Sequence, residues 1–154
     1  MTMAEGSNRR NAQARVAQRR KARHYLVQAL YQWQMSGNSA AEVESQFVED
    51  NDFVAADETY FREVFGQSTA TAEELDRLIA PCLDRELDEL DPVERSLLRM
   101  ASCELLNRVD VPYKVVISEA VSLAKKFGAS DSFKYINGVL DRLATELRTA
   151  ETAR

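Results

Sequence analysis

The sequence predicts an all-α protein of six to seven helices packed as two small helical bundles. Three observations carry this reading. Apolar residues recur at three-to-four spacing through every long segment after residue 24. No segment alternates with period two over a strand's length. Capping and stop signals fall at the ends of the periodic runs. The 154 residues, 45% hydrophobic and 29% charged, suit one globular domain.

The first 18 residues hold few large apolar groups and read as a flexible basic arm, with residues 19–154 as a single all-helical domain. Structure is expected to begin near Arg19. Leu26, Leu30 and Trp33, flanked by Tyr25 and Ala29, mark a helix of about 16 residues that Ser36-Gly37-Asn38 ends. Ser39 with Glu42 forms a capping-box pair before a shorter helix that buries Val43 and Phe47. A third helix is expected from about Glu58 to Ala80, with Gly66 as its weak point and Pro81 as its stop. The acid-rich DRELDELDPVE is a turn leading into a helix start: Asp91 caps, Pro92 fits the first position and Glu94 completes a second box. The helix that follows turns Leu97, Leu98, Ala101, Leu105 and Leu106 inward and breaks at Asp110-Val111-Pro112. The next runs from Tyr113 to Gly128. A last one starts near Ser132, its three-to-four spacing continuing across Asn137-Gly138 and overriding the hairpin signal there.

The net charge of −5 conceals a strong asymmetry. Residues 1–24 carry +6, residues 25–110 carry −13, and the remainder +2. A basic arm on an acidic body points to a polyanion, most often nucleic acid, and the acidic middle suits a basic protein. The plain alternative is a solvated charged tail. Arg19-Arg20-Lys21-Ala22-Arg23 would lie at the start of the first helix, where cations oppose the helix dipole and gain from an anionic cover. Catalytic motifs are missing. The five glycines are too scattered for a phosphate or dinucleotide loop, and a single histidine, His24, allows neither a Ser-His-Asp set nor a histidine metal site. Cys82 and Cys103 read as small buried hydrophobes, so no cofactor, metal or enzymatic activity is expected, and a reduced cytoplasmic compartment fits. No apolar run has the length of a membrane span.

The segments RRKARHYLVQALYQWQMSG, LDPVERSLLRMASCELLNR and DVPYKVVISEAVSLAKKFGASDSFKYINGVLDRLA resemble the NusB family of transcription antitermination factors, over about residues 19–148. The resemblance implies two packed three-helix bundles. It implies binding of boxA-type single-stranded RNA from ribosomal RNA leader transcripts, jointly with the ribosomal protein called NusE in this role, so that RNA polymerase reads through terminators. The family's arginine-rich motif falls on Arg19, Arg20, Lys21 and Arg23, which the resemblance assigns to RNA. Asp131, Lys134 and Tyr135 match positions near bound RNA. Tyr135 either stacks on an unpaired base or packs in the core. Tyr31 and Glu94 match positions at or near the protein partner, Glu94 also serving as a cap. His24 stands where the family commonly has Glu, and the N-terminal extension is longer than usual. Two competing readings remain: a homodimeric helical interaction module with weak or no RNA binding, and a free-standing accessory domain of an RNA methyltransferase.

Overall fold

The structure is a computed structural model that describes residues 2–153. Among the described residues there are eight α-helices and no strand: α1 (Met3–Ser36), α2 (Ala40–Asp50), α3 (Glu58–Ala70), α4 (Ala72–Ile79), α5 (Pro92–Asn107), α6 (Tyr113–Phe127), α7 (Ser132–Leu147) and α8 (Thr149–Thr152). The all-α expectation holds, with slightly more helices than expected.

The largest correction is at the start. α1 begins at Met3 rather than near Arg19, in a capping box between Thr2 and Glu5. Residues 3–18 contain no proline, no β-branched run and four alanines, and they extend a helix already nucleated by its packed C-terminal half. The arginine-rich motif therefore lies mid-helix, roughly 24 Å from the N-terminus, and the dipole argument does not apply to it. Gly37 ends α1 in the left-handed region at φ 74°, as its sequence signal requires.

The expected Glu58–Ala80 helix is two helices, divided at Thr71 and not at Gly66. The Thr69 hydroxyl donates to the Phe65 carbonyl at 2.9 Å and the Thr71 hydroxyl to Gln67 at 2.7 Å. Such side chains compete for helix carbonyls, and Thr71 leaves helical geometry at φ −118°, ψ 23°. Pro81 sits in a short 3₁₀ turn, as its missing N–H dictates. Asp91 and Glu94 cap α5 reciprocally, at 2.8 and 3.3 Å. Leu106 is the other correction: it is 41% exposed, because only the stretch from Ser96 to Leu105 is enclosed on all sides.

That stretch makes α5 the axle of the fold. It packs against α1 and α3 on one side and against α4, α6 and α7 on the other, so α1–α3 and α5–α7 form two sets sharing one core. Tyr25, Phe47, Phe53, Phe61 and Phe65 build an aromatic stack in the first set, with Phe61 and Phe65 rings 5.9 Å apart and nearly parallel. A Cβ on Gly128, after α6, would come within 2.7 Å of the Ala124 carbonyl oxygen, so only glycine fits that close approach.

Buried charge locks the helices in register. Arg23 on α1 donates from Nε to Glu104 Oε1 on α5 at 2.7 Å, and the Tyr60 hydroxyl on α3 donates to the same oxygen at 2.5 Å. Glu104 is fully enclosed and Arg23 is 3% exposed. Burial and the Glu104 charge both push the Tyr60 phenol well above its usual range. At the same C-terminal end of α5, Arg148 donates to the carbonyls of Glu104, Leu105, Arg108 and Val111. A cation thereby satisfies the Leu105 carbonyl and sits at the negative dipole end of α5. Asp76 on α4 accepts from Arg99 at 2.8 and 2.9 Å and from Arg95 at 3.1 Å. Burial pushes the Asp76 carboxyl up, but the two guanidinium groups outweigh it and hold the group below its usual range.

Glu104→Gln, which strands Arg23 without a counter-ion, is expected to cost about 3–5 kcal/mol in urea denaturation. The double variant Arg23→Met/Glu104→Met is expected to cost less than the sum of the single changes; full additivity would refute the coupling. Asp76, its folded value depressed, contributes stability that is present above its unfolded value of about 3.9 and is lost as pH falls through the lower folded value. Asp76→Asn should therefore be less stable than the parent at neutral pH, and the gap should close in acid. A gap independent of pH would contradict the ion-pair account.

Candidate nucleic-acid interface

Helical phase divides the arginine-rich motif into an inward and an outward pair. Arg19 and Arg23 lie one turn apart and face the body. Arg19 is about one-third exposed, lies between Asp57 at 3.9 Å and Asp110 at 3.8 Å, and stacks 4.1 Å above the Tyr60 ring. Arg23, expected to reach RNA, is instead 3% exposed and bound to the buried Glu104 carboxylate, an arrangement that argues against direct contact with an external phosphate. Burial pulls the Arg23 guanidinium down, but Glu104 more than restores it.

Arg20 and Lys21 point outward. They line an open cleft of about 470 Å³ between α1 and α6, with Ala17, His24, Glu119, Ser122, Leu123 and Lys126. Arg20 is 65% exposed and reaches Glu119 at 3.1 Å, which orients the fork without burying it. His24 packs edge-on against Phe127 at 4.8 Å, and its Nδ1 lies 3.4 Å from the Lys126 ammonium. Burial first, then the Lys126 and Lys21 charges, lower the His24 pKa, so the ring accepts from Lys126 as a neutral base. Sequence reading missed Lys126 and Glu119. The only signal was the Lys125-Lys126 pair in the last turn of α6, which also reads as ordinary dipole compensation.

The second set of expected residues lies at the start of α7. Asp131 takes a left-handed backbone at φ 69°, unusual outside glycine, and pairs with exposed Lys134 at 3.6 Å. Lys125 on α6 and Lys134 on α7 both approach the Phe133 ring, at 4.9 and 5.9 Å. The last turn of α6 thus sends Lys126 toward α1 and Lys125 toward α7, joining two basic clusters that are more than 100 residues apart in sequence. Tyr135 is half-buried against the core, and the Arg85 guanidinium lies 3.9 Å over its ring. Tyr135 therefore packs in part against the core, with the Arg85 guanidinium over its ring.

Tyr31 is 40% exposed on α1, three turns beyond the basic cleft. Glu94 is enclosed: besides its cap, its second oxygen accepts from the Ser132 hydroxyl at 2.8 Å and ties the start of α5 to the start of α7. Both cysteines are buried, and burial raises both thiols. Among the described residues no cluster of His, Cys, Asp and Glu is arranged to hold a metal ion, and no helix is long and apolar enough to cross a membrane.

The chain is 54% identical over 135 residues to the transcription antitermination protein NusB of Pseudomonas fluorescens, covering 88% of this chain and 81% of that one. It is 51% identical over 132 residues to the NusB protein of Shewanella halifaxensis, covering 86% and 98%. The solved NusB of T. maritima superposes with a TM-score of 0.76 at 30% identity, over 88% of this chain and 96% of that one. A solved complex of antitermination factors NusB and NusE with double-stranded RNA contains a chain that matches at a TM-score of 0.72 and 27% identity, over 82% and 96%. The NusB family profile matches residues 20–145, and with the fold and the close relatives this establishes that the chain belongs to the NusB family.

Proposed function

We propose that the protein is a non-catalytic antitermination factor that binds boxA-type single-stranded RNA of ribosomal RNA leader transcripts in the α1–α6 cleft. It acts in the cytoplasm together with a ribosomal protein serving as NusE, and the pair promotes read-through by RNA polymerase. The observation that carries this reading is the exposed cluster of Arg20, Lys21 and Lys126 around an open cleft on an otherwise acidic protein. Planar forks and ammonium groups there suit phosphates, and the net negative charge of residues 25–110 disfavours RNA elsewhere on that body. Lys134 and Lys125 extend the basic surface onto α7, and Asp131 fixes the turn that presents them. Tyr135 meets a base only if Arg85 leaves its ring or shares it. Tyr31 is the exposed contact offered to the protein partner, while Glu94 contributes through the α5–α7 junction that it holds. The relative solved with NusE and RNA supports both partner classes.

The deciding experiment measures binding of a boxA-like single strand, a scrambled strand and a duplex, at two salt concentrations, with and without the protein partner. Preference for the boxA-like strand that sharpens with the partner is the expected result. Equal binding of all three would reduce the cleft to generic electrostatics, and an RNA-independent dimer in size exclusion would favour the interaction-module reading.

Arg20→Ala/Lys21→Ala should weaken RNA binding and lower the slope of log K against log salt by about 1.4, roughly 0.7 per lost phosphate contact. Helix content and melting should stay unchanged, because both side chains are exposed; an unaltered slope would remove the pair from the interface. A second outcome concerns pH. The His24 pKa is depressed in the free protein by burial, Lys126 and Lys21, with Glu119 and Arg20 completing the surround. A phosphate in the cleft offsets those cations and raises it, so RNA binding takes up a proton and tightens as pH falls through the RNA-bound value toward the lower free one. The chain's single histidine makes this readable by NMR titration with and without RNA, and His24→Gln should flatten the pH dependence. A downward shift on RNA binding would refute it.

A further inference from the structure

The N-terminal extension is the part of the molecule that neither the core nor the family explains. The family match begins at residue 20, so the first five turns of α1 lie outside it. From Thr2 to Gln18 no side chain is buried, and all but Gly6 are exposed, so core packing is not what this segment is for. It nevertheless carries Arg9, Arg10 and Arg15, against Glu5 as its one acid, and that carboxylate is engaged with the Thr2 backbone N–H at 2.9 Å.

Phase separates these arginines. At about 100° per residue, positions eleven apart are nearly in register, three turns along the axis. Arg9 therefore stands in line with Arg20, and Arg10 with Lys21, each pair separated by roughly 16 Å of helix. Between them the same face carries Gln13 and Ala17, uncharged and short, and Ala17 already lines the cleft. Arg15 falls on the other side, with Arg19, in the groove that also holds Asp57 and Asp110. The outward face thus carries a cationic rail running from Arg9 into the α1–α6 cleft, where Glu119 pairs with Arg20, while Asp57 and Asp110 lie in the groove on the opposite face.

We propose that this rail is a second RNA-contact segment: Arg9 and Arg10 bind backbone phosphates of the single strand where it leaves the cleft. The inference rests on the RNA-binding reading above and adds to it the extent and direction of the bound strand. A helix joined rigidly to the cleft holds the two arginines at fixed distance and phase, so the strand meets them without ordering a loose tail. The contact is sequence-independent, because guanidinium groups on a bare helix face reach phosphates and not selected base edges.

The test compares a strand of about 8 nucleotides, enough for the cleft, with one of about 16 carrying the same core sequence. For the parent protein the longer strand should bind more tightly and with a steeper salt dependence. Arg9→Gln/Arg10→Gln should leave the short strand unaffected, weaken the long one to the level of the short, and reduce its salt slope by about 1.4. A charge-conserving variant, with Asn8→Arg and Ala12→Arg added to those two changes, moves both cations to the Arg15–Arg19 side. It should not restore long-strand binding. Restoration would overturn the proposal in favour of face-independent attraction, as would equal affinity of the parent for both strands. Failure of the parent to bind even the short strand would instead remove the RNA-binding reading itself. All substituted positions are exposed, and circular dichroism checks that the helix persists.

Discussion

One buried carboxylate organises this protein. Glu104, in the last turn of α5, receives Arg23 from α1 and the Tyr60 hydroxyl from α3, and its backbone carbonyl receives Arg148 from the end of α7. A charge in the interior is tolerable only when paired and hydrogen-bonded, so the rotation of α1 about its axis is fixed by the need to deliver Arg23 to that point. Three guanidinium groups, from Arg19, Arg23 and Arg108, lie within 5.5 Å of the Tyr60 ring centroid. The ring and the carboxylate together hold a concentration of positive charge that would otherwise repel itself.

Fixing that rotation creates the basic cleft. Once Arg23 points inward, Arg20, Lys21 and His24 must lie on the adjoining face, over α6, where Lys126 and Glu119 complete the lining. The ion pair is thus the element that aims the surface cations. The same rotation carries Arg9 and Arg10 onto the continuation of that face, because nothing interrupts the helix between them and Arg20.

The division of charge follows the division of the fold. Acids of the middle segment are engaged at helix starts or by arginines: Asp91 and Glu94 cap α5, Asp76 holds Arg95 and Arg99, and Glu63 holds Arg108. The exposed cations gather instead on α1 and around the last turn of α6, so the overall negative charge coexists with a strongly basic strip.

Sequence alone determined the all-α class, the caps at Ser39 and Asp91, the stop at Gly37 and most of the buried positions, because these depend on local geometry and on a 3.6-residue period. It singled out Arg20 and Lys21, which the structure leaves exposed beside the α1–α6 cleft. It did not reveal that α1 runs back to Met3: a polar segment without an apolar stripe looks like a tail unless a packed helix already nucleates it. Nor did it show that the break after α3 lies at Thr71, where hydroxyl groups draw carbonyls out of the ladder. Only the tertiary structure decided which cations of the motif are interior and which are available. Arg19, Arg20, Lys21 and Arg23 look equivalent along the chain, and their roles separate only when α5 supplies Glu104 to one face of α1 and α6 supplies Lys126 to the other.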